Sequence, residues 1–116
     1  MSARRGGRVV SISRGEVWLA ALDPTVGSEI QETRPCLIVS PSEMNDGLRT
    51  VLAAPLTSAG RPAPCRVPVL FNRRHGLILL DQLRASDKAR LIRRLGAVGP
   101  DTLTTTLTTL RTIFEA

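Results

Sequence analysis

Arg66-Val67-Pro68-Val69-Leu70-Phe71, then Asn72-Arg73-Arg74-His75-Gly76, then Leu77-Ile78-Leu79-Leu80-Asp81-Gln82-Leu83 is the stretch from which the fold is read. Two apolar runs of strand length flank a short basic segment with turn residues at both ends, the pattern of two antiparallel strands, Arg66 to Phe71 and Gly76 to Leu83. Working back towards the N-terminus, Ser58 to Pro64 carries Gly60, Pro62 and Pro64 and is expected to be a loop. Before it, Thr50 to Leu56 is a third strand, preceded by the turn signal Asn45-Asp46-Gly47. Pro35 opens Cys36-Leu37-Ile38-Val39-Ser40, whose branched residues and closing Pro41 mark a second strand. Gly15 to Leu22 forms the first, stopped at Asp23-Pro24, with a polar loop from Thr25 to Thr33. Short strands separated by turn chemistry describe an antiparallel sheet or a small barrel.

Beyond Leu83 the period changes. Leu103, Leu107, Leu110, Ile113 and Phe114 recur at helical spacing, Pro100 suits a first turn, and Asp101 suits the positive end of the helix dipole. The chain is expected to close on a helix held by this stripe, because the intervening threonines are poor helix formers.

One domain accounts for 116 residues, and 42% hydrophobic with 22% charged residues excludes wholesale disorder. No apolar run is long enough to span a bilayer, and Met1 to Ser13 lacks the apolar core of a secretory signal, so a cytoplasmic, membrane-free protein is expected. Cys36 and Cys65 lie beside apolar or proline residues and are expected to stay free thiols.

The net charge is +6, with sixteen basic against ten acidic residues. Such a surface favours a polyanion, either nucleic acid or an acidic protein segment. Fifteen of the sixteen bases are arginine, a bias that GC-rich coding also produces, so composition leaves both partners open. Trp18, Phe71 and Phe114 are too few rings for a stacking platform.

One histidine, His75, and two distant cysteines do not have zinc-ligand spacing, no nucleotide-cradling loop occurs, and no cofactor is implied. A paired-histidine ribonuclease scheme is impossible within one chain, and His75 between Arg74 and Gly76 is expected to be a solvated loop residue. What remains is polar groups at the ends of apolar strands: Glu29 and Arg34, Thr57 and Ser58, and Asp81, Gln82 and Arg84. Turn capping accounts for Ser58 and Asp81. Arg34, immediately before Pro35 at a strand start, is well placed to hold a phosphate with two hydrogen bonds.

Six blocks then carry a resemblance. They are Arg14-Gly15-Glu16-Val17-Trp18, Asp23-Pro24-Thr25-Val26-Gly27-Ser28-Glu29 and Thr33-Arg34-Pro35-Cys36-Leu37-Ile38-Val39-Ser40, followed by Ala54-Pro55-Leu56-Thr57-Ser58, Leu79-Leu80-Asp81-Gln82-Leu83-Arg84 and Asp87-Lys88-Ala89-Arg90-Leu91. In order and spacing the chain resembles the MazF/PemK toxins from about Ser13 to Phe114. That divides it into a basic extension, residues 1–12, expected to be flexible, and a toxin domain, residues 13–116. The resemblance implies a mainly β fold, an SH3-like, partly open antiparallel barrel of the CcdB/PemK kind with a C-terminal helix. It implies the toxin of a type II toxin–antitoxin pair: a homodimeric endoribonuclease cutting single-stranded RNA, mRNA among it, without metal, to leave 2′,3′-cyclic phosphate and 5′-hydroxyl ends. It further implies a cognate antitoxin, whose flexible acidic tail fits the charge.

By the same resemblance Arg34 and Thr57 are catalytic, while Ser28, Glu29, Ser58 and Gln82 contact RNA or support the site. Relatives place a glycine between the positions of Glu29 and Arg34, where this chain has Ile30-Gln31-Glu32-Thr33, so Glu32 adds a negative charge beside a phosphate site. Two other functions sit on such a fold. A gyrase poison depends on a tryptophan-containing C-terminus, whereas this chain ends Thr112-Ile113-Phe114-Glu115-Ala116; an RNA-binding barrel without catalysis would leave no cleaved ends.

Overall fold

A computed structural model describes residues 3–5, 8–21 and 32–116. A separate antiparallel ladder pairs β1 (Ala3–Arg5) with β2 (Arg8–Val10). The main sheet has seven strands: β3 (Glu16–Ala21), β4 (Thr33–Ile38), β5 (Thr50–Thr57), β6 (Arg66–Phe71), β7 (Arg74–Leu79), β8 (Arg84–Asp87) and β9 (Leu91–Ala97). Their order is β6-β7-β5-β4-β3-β9, with β8 also paired to β5, and the pairings are antiparallel. Two helices complete it, α1 (Ser42–Gly47) and α2 (Pro100–Ile113). This is the expected mainly β, half-open antiparallel barrel with a C-terminal helix.

Both faces of the central strands are buried, and this is why they read as unbroken apolar runs instead of alternating. Val17, Leu37, Val39, Ala54 and Leu56 point into one core, closed over by Val67, Val69 and Ile78 of the β6–β7 hairpin. Their sequence neighbours Trp18, Ala20, Cys36, Ile38, Val51 and Ala53 point into a second core with Ile12 and Leu91.

Several expected boundaries move. The second strand begins at Thr33, two residues earlier than Pro35, because Thr33 and Arg34 pair with Ala21 and Ala20 of β3. The stop at Asp23-Pro24 and most of the following loop lie outside the described residues. The five-residue basic turn shrinks to Asn72 and Arg73, both with left-handed φ of 49° and 64°, so β7 starts at Arg74 and His75 is a strand residue opposite Leu70. The strand expected to run to Leu83 ends at Leu79. Leu80–Gln82 is one turn of 3₁₀ helix, which turns the chain into β8. β8 and β9 are strands that the apolar pattern does not announce.

Asn45-Asp46-Gly47 is also not the expected turn but the end of α1. Its helical geometry is held by the fully buried Asn45, whose Nδ2 donates to the Ile12 (2.9 Å) and Ser40 (3.0 Å) carbonyls while its Oδ1 accepts from Ser40 Oγ. Ser40 Oγ in turn accepts from the Leu52 amide at 2.9 Å. Asn45 thus ties three segments together. Asn45→Ala leaves two carbonyls buried without donors, and urea unfolding is expected to show a loss of about 3 kcal/mol, at roughly 1–3 kcal/mol for each orphaned group.

α2 begins as expected, with Pro100 in its first turn and Asp101 beside it. Its packing face differs. Thr106 is the fully buried residue, lying between Leu103 and Leu110 on one face, and its Oγ1 satisfies itself on the Thr102 carbonyl at 2.8 Å. Leu103 packs over Gly15, whose φ of +93° favours glycine and where a Cβ would come 3.2 Å from the leucine. The last part of the expected stripe is uncovered within one chain: Phe114 is 74% exposed.

Candidate active site

Strand register builds the site. Cys36 faces Pro55, Leu37 faces Ala54 and Ile38 faces Ala53 between β4 and β5. Continuing that register two positions puts Arg34 opposite Thr57, just past the last paired residues. There the two strands separate: β5 turns to β7 through Leu56–Ile78 and Thr57–Leu77, while Arg34 stays on β3 opposite Ala20. The gap is part of a cavity of about 510 Å³. Pro35, Leu56, Val69, Phe71 and Leu95 supply its apolar lining, and Glu32, Arg34, Thr57, Ser58, Asn72, Arg74 and His75 its polar lining.

Each polar group is held differently. The Arg34 side chain is partly exposed, and its Nη2 lies 2.5 Å from Oε1 of Glu32. A carboxylate oxygen therefore occupies one arm of the guanidinium fork, as a phosphate oxygen could. Thr57 Oγ1 donates to the Ala59 carbonyl at 2.7 Å and accepts from the Ala59 amide at 3.1 Å, which fixes its rotamer at the start of the loop. Gly76 backs it: a Cβ there would overlap the Thr57 carbonyl oxygen and sit 3.2 Å from its carbon.

Of the six residues singled out from sequence, Arg34, Thr57 and Ser58 line this cavity. Gln82 does not. It is exposed on the 3₁₀ turn, next to Asp81, whose carboxylate takes two 3.2 Å hydrogen bonds from Arg66. Arg66 also donates to the Arg61 carbonyl, so this pair braces the Ser58-to-Pro64 loop and holds the Asp81 carboxyl below its usual range. Ser28 and Glu29 lie outside the described residues. Asn72 and Arg74 are site residues that the sequence does not single out; Glu32 lies beside Arg34 as expected, and His75, expected to be a solvated loop residue, lines the cavity from β7. The basic turn was the available signal, but its folding back towards Arg34 depends on the hairpin closing over the core.

Among the described residues no group of three or more histidine, cysteine, aspartate or glutamate side chains gathers as metal ligands, and no helix is long and apolar enough to cross a membrane. Both cysteines are free, as expected. Burial pushes the Cys36 thiol up to about 11, Arg34 and Arg84 opposing. Thiolate is the reactive form. A disulfide reagent near pH 8 is expected to titrate Cys65 alone in folded protein and both thiols after unfolding.

A half-open barrel with a guanidinium and a hydroxyl on facing strand ends, lining one cavity together with Glu32, Arg74 and His75, defines a small β-barrel protein with a polar, charged cleft at its rim. Residues 13–114 match the family described as PemK-like, MazF-like toxin of type II toxin-antitoxin system, and the chain belongs to that family. It is 42% identical over 102 residues to endoribonuclease PemK of Escherichia coli, covering 83% of this chain and 76% of that one. It is 36% identical over 86 residues to endoribonuclease EndoA of Bacillus subtilis, covering 69% and 74%. A solved mycobacterial endoribonuclease in complex with its cognate antitoxin superposes with a TM-score of 0.75 at 28% identity, covering 88% of this chain and 93% of that one. Family and enzyme class therefore stand as expected: a toxin of a toxin–antitoxin system, with endoribonucleases as its relatives.

Proposed function

We propose that this chain is an endoribonuclease that cuts single-stranded RNA by attack of a 2′-hydroxyl on the adjacent phosphate, needs no metal, and leaves 2′,3′-cyclic phosphate and 5′-hydroxyl ends. The supporting observation is that Arg34 and Thr57, far apart in sequence, line one cavity through strand register. Attack builds negative charge on the non-bridging oxygens. A fixed guanidinium and hydroxyl stabilise that charge more than they stabilise the ground state, which is what lowers a barrier. Ser58 is proposed to support the same anion. Ser28 and Glu29 are proposed to contact RNA from the preceding loop, and Gln82, exposed on the 3₁₀ turn, to contact bases outside the cavity.

The working form is proposed to be a cytoplasmic homodimer. Its inhibitor is proposed to be an antitoxin whose acidic segment covers the cationic rim and so competes with RNA. Incubation of purified protein with a long single-stranded RNA in chelator, followed by mapping of 5′-hydroxyl ends, tests the reading. Discrete new ends bearing cyclic phosphate are expected. Bound but intact RNA would instead indicate a binding barrel without catalysis.

A further inference from the structure

A 2′-hydroxyl attack needs a proton acceptor at O2′ and a proton donor at the departing O5′, and neither Arg34 nor Thr57 suits both tasks. Arginine stays protonated, and the threonine hydroxyl is already bonded to Ala59. Among the described residues lining the cavity, two others carry groups that exchange protons readily: Glu32 and His75. They come from different elements, Glu32 just ahead of β4 and His75 from β7, with the Arg34–Thr57 gap belonging to the same cavity.

Resting on the ribonuclease reading above, we propose that Glu32 is the general base and His75 the general acid of this site. The Glu32–Arg34 ion pair is the observation that joins the roles. A scissile phosphate taking the Arg34 fork displaces the Glu32 carboxylate, which remains tethered two residues away, beside the phosphate whose neighbouring 2′-hydroxyl must be deprotonated. The same event leaves both carboxylate oxygens free of the guanidinium and open to accept the O2′ proton.

In the step itself, Glu32 takes the proton from O2′, the O2′ electron pair forms the bond to phosphorus, the P–O5′ bond breaks, and O5′ takes a proton from the His75 imidazolium. The products are the cyclic phosphate and the 5′-hydroxyl, with Glu32 protonated and His75 neutral; exchange with water resets both. The charged groups facing the pair are Arg34 on β4 and Arg74 on β7, with Arg73 in the adjoining turn. Strands β5, β6 and β9 present only alkyl, aromatic and hydroxyl groups to the cavity. Two cations, Arg34 and Arg74, favour a phosphate there.

The test is single-turnover cleavage of a single-stranded RNA across pH by wild type, Glu32→Gln, His75→Gln and Glu29→Gln, each checked for an unchanged melting temperature. Wild type is expected to show a bell, rising as the base deprotonates and falling as the acid deprotonates. Glutamine at position 32 keeps an acceptor for Arg34 but not a base, so its rate is expected to fall about 100-fold or more with loss of the rising limb. His75→Gln is expected to lose the falling limb. Its rate should return to within a few-fold of wild type on an RNA whose leaving oxygen is replaced by sulfur, because a thiolate leaves without a proton. A Glu32→Gln enzyme as fast as wild type with both limbs intact, loss of the rising limb in Glu29→Gln instead, or a His75→Gln defect equal on both leaving groups would overturn the assignment while wild type still cuts. Wild-type protein that leaves RNA whole overturns the ribonuclease reading and this pair together.

Discussion

Arg34→Ala is expected to abolish measurable RNA cleavage, with a rate at least about 100-fold below wild type, the usual cost of removing one donor to a developing oxyanion. The fold should survive. The Arg34 side chain is 31% exposed and pairs with a still more exposed Glu32, so the lost ion pair contributes no more than about 1 kcal/mol. Thermal melting and single-turnover cleavage on the same preparation separate the two effects. Expression of the variant in a susceptible host should no longer arrest growth. Arg34→Lys is the informative companion: it keeps the charge but loses the planar fork, and so should recover only a small part of the rate. A wild-type rate in Arg34→Ala would remove the guanidinium from the chemistry.

Gly76→Ala is expected to damage both stability and activity through the backbone. Its new Cβ would clash with the Thr57 carbonyl oxygen, which is main chain and has no rotamer into which to retreat. β7 must therefore move away from β5 at the Thr57–Leu77 pair, where only two residue pairs join these strands. Overpacking of this kind costs roughly 1–3 kcal/mol. It also shifts the residue whose hydroxyl is proposed to meet the phosphate, and a displacement of about 1 Å at such a site costs on the order of 100-fold in rate. Gly47→Ala is the control, because nothing lies within 4 Å of a Cβ there; it should be neutral in urea unfolding and in cleavage. Equal behaviour of the two variants would show that the close approach at Gly76 has no consequence.

Legibility followed burial. β3, β4, β5 and β6 could be read because each carries a compact apolar run bounded by proline, glycine or asparagine; in β3, β4 and β5 two buried faces leave little room for polar interruption, while β6 buries Val67 and Val69 on one face and exposes the apolar Pro68 and Leu70 on the other. β8, Arg84-Ala85-Ser86-Asp87, and the first half of β9, Leu91-Ile92-Arg93-Arg94, are interrupted by charges. β9 is an edge strand whose pairing with β3 shifts register twice, so its side chains need not alternate and no period survives to be read. Thr106, one of the threonines between the leucines of the expected stripe, is fully buried. Its hydroxyl bonds to its own helix backbone, which lets a polar residue enter the core at little cost.

The order of turn residues and apolar runs was enough, by itself, to determine an antiparallel, strand-rich chain with a terminal helix, and the six matched blocks were enough to determine its family. Both properties are local, since propensity, turn chemistry and motif spacing are written along one dimension. Which side chains share the cavity was decided only in three dimensions. Arg34 and Thr57 share the cavity because β4 and β5 pair in one register and not its neighbour, and a slip of one residue would send one of the two to the opposite face. His75 joins them, and Glu32 beside Arg34, because a hairpin with a two-residue turn closes over the core and brings the start of β7 back towards the start of β4. Long-range packing sets that closure, and no spacing in the sequence records it.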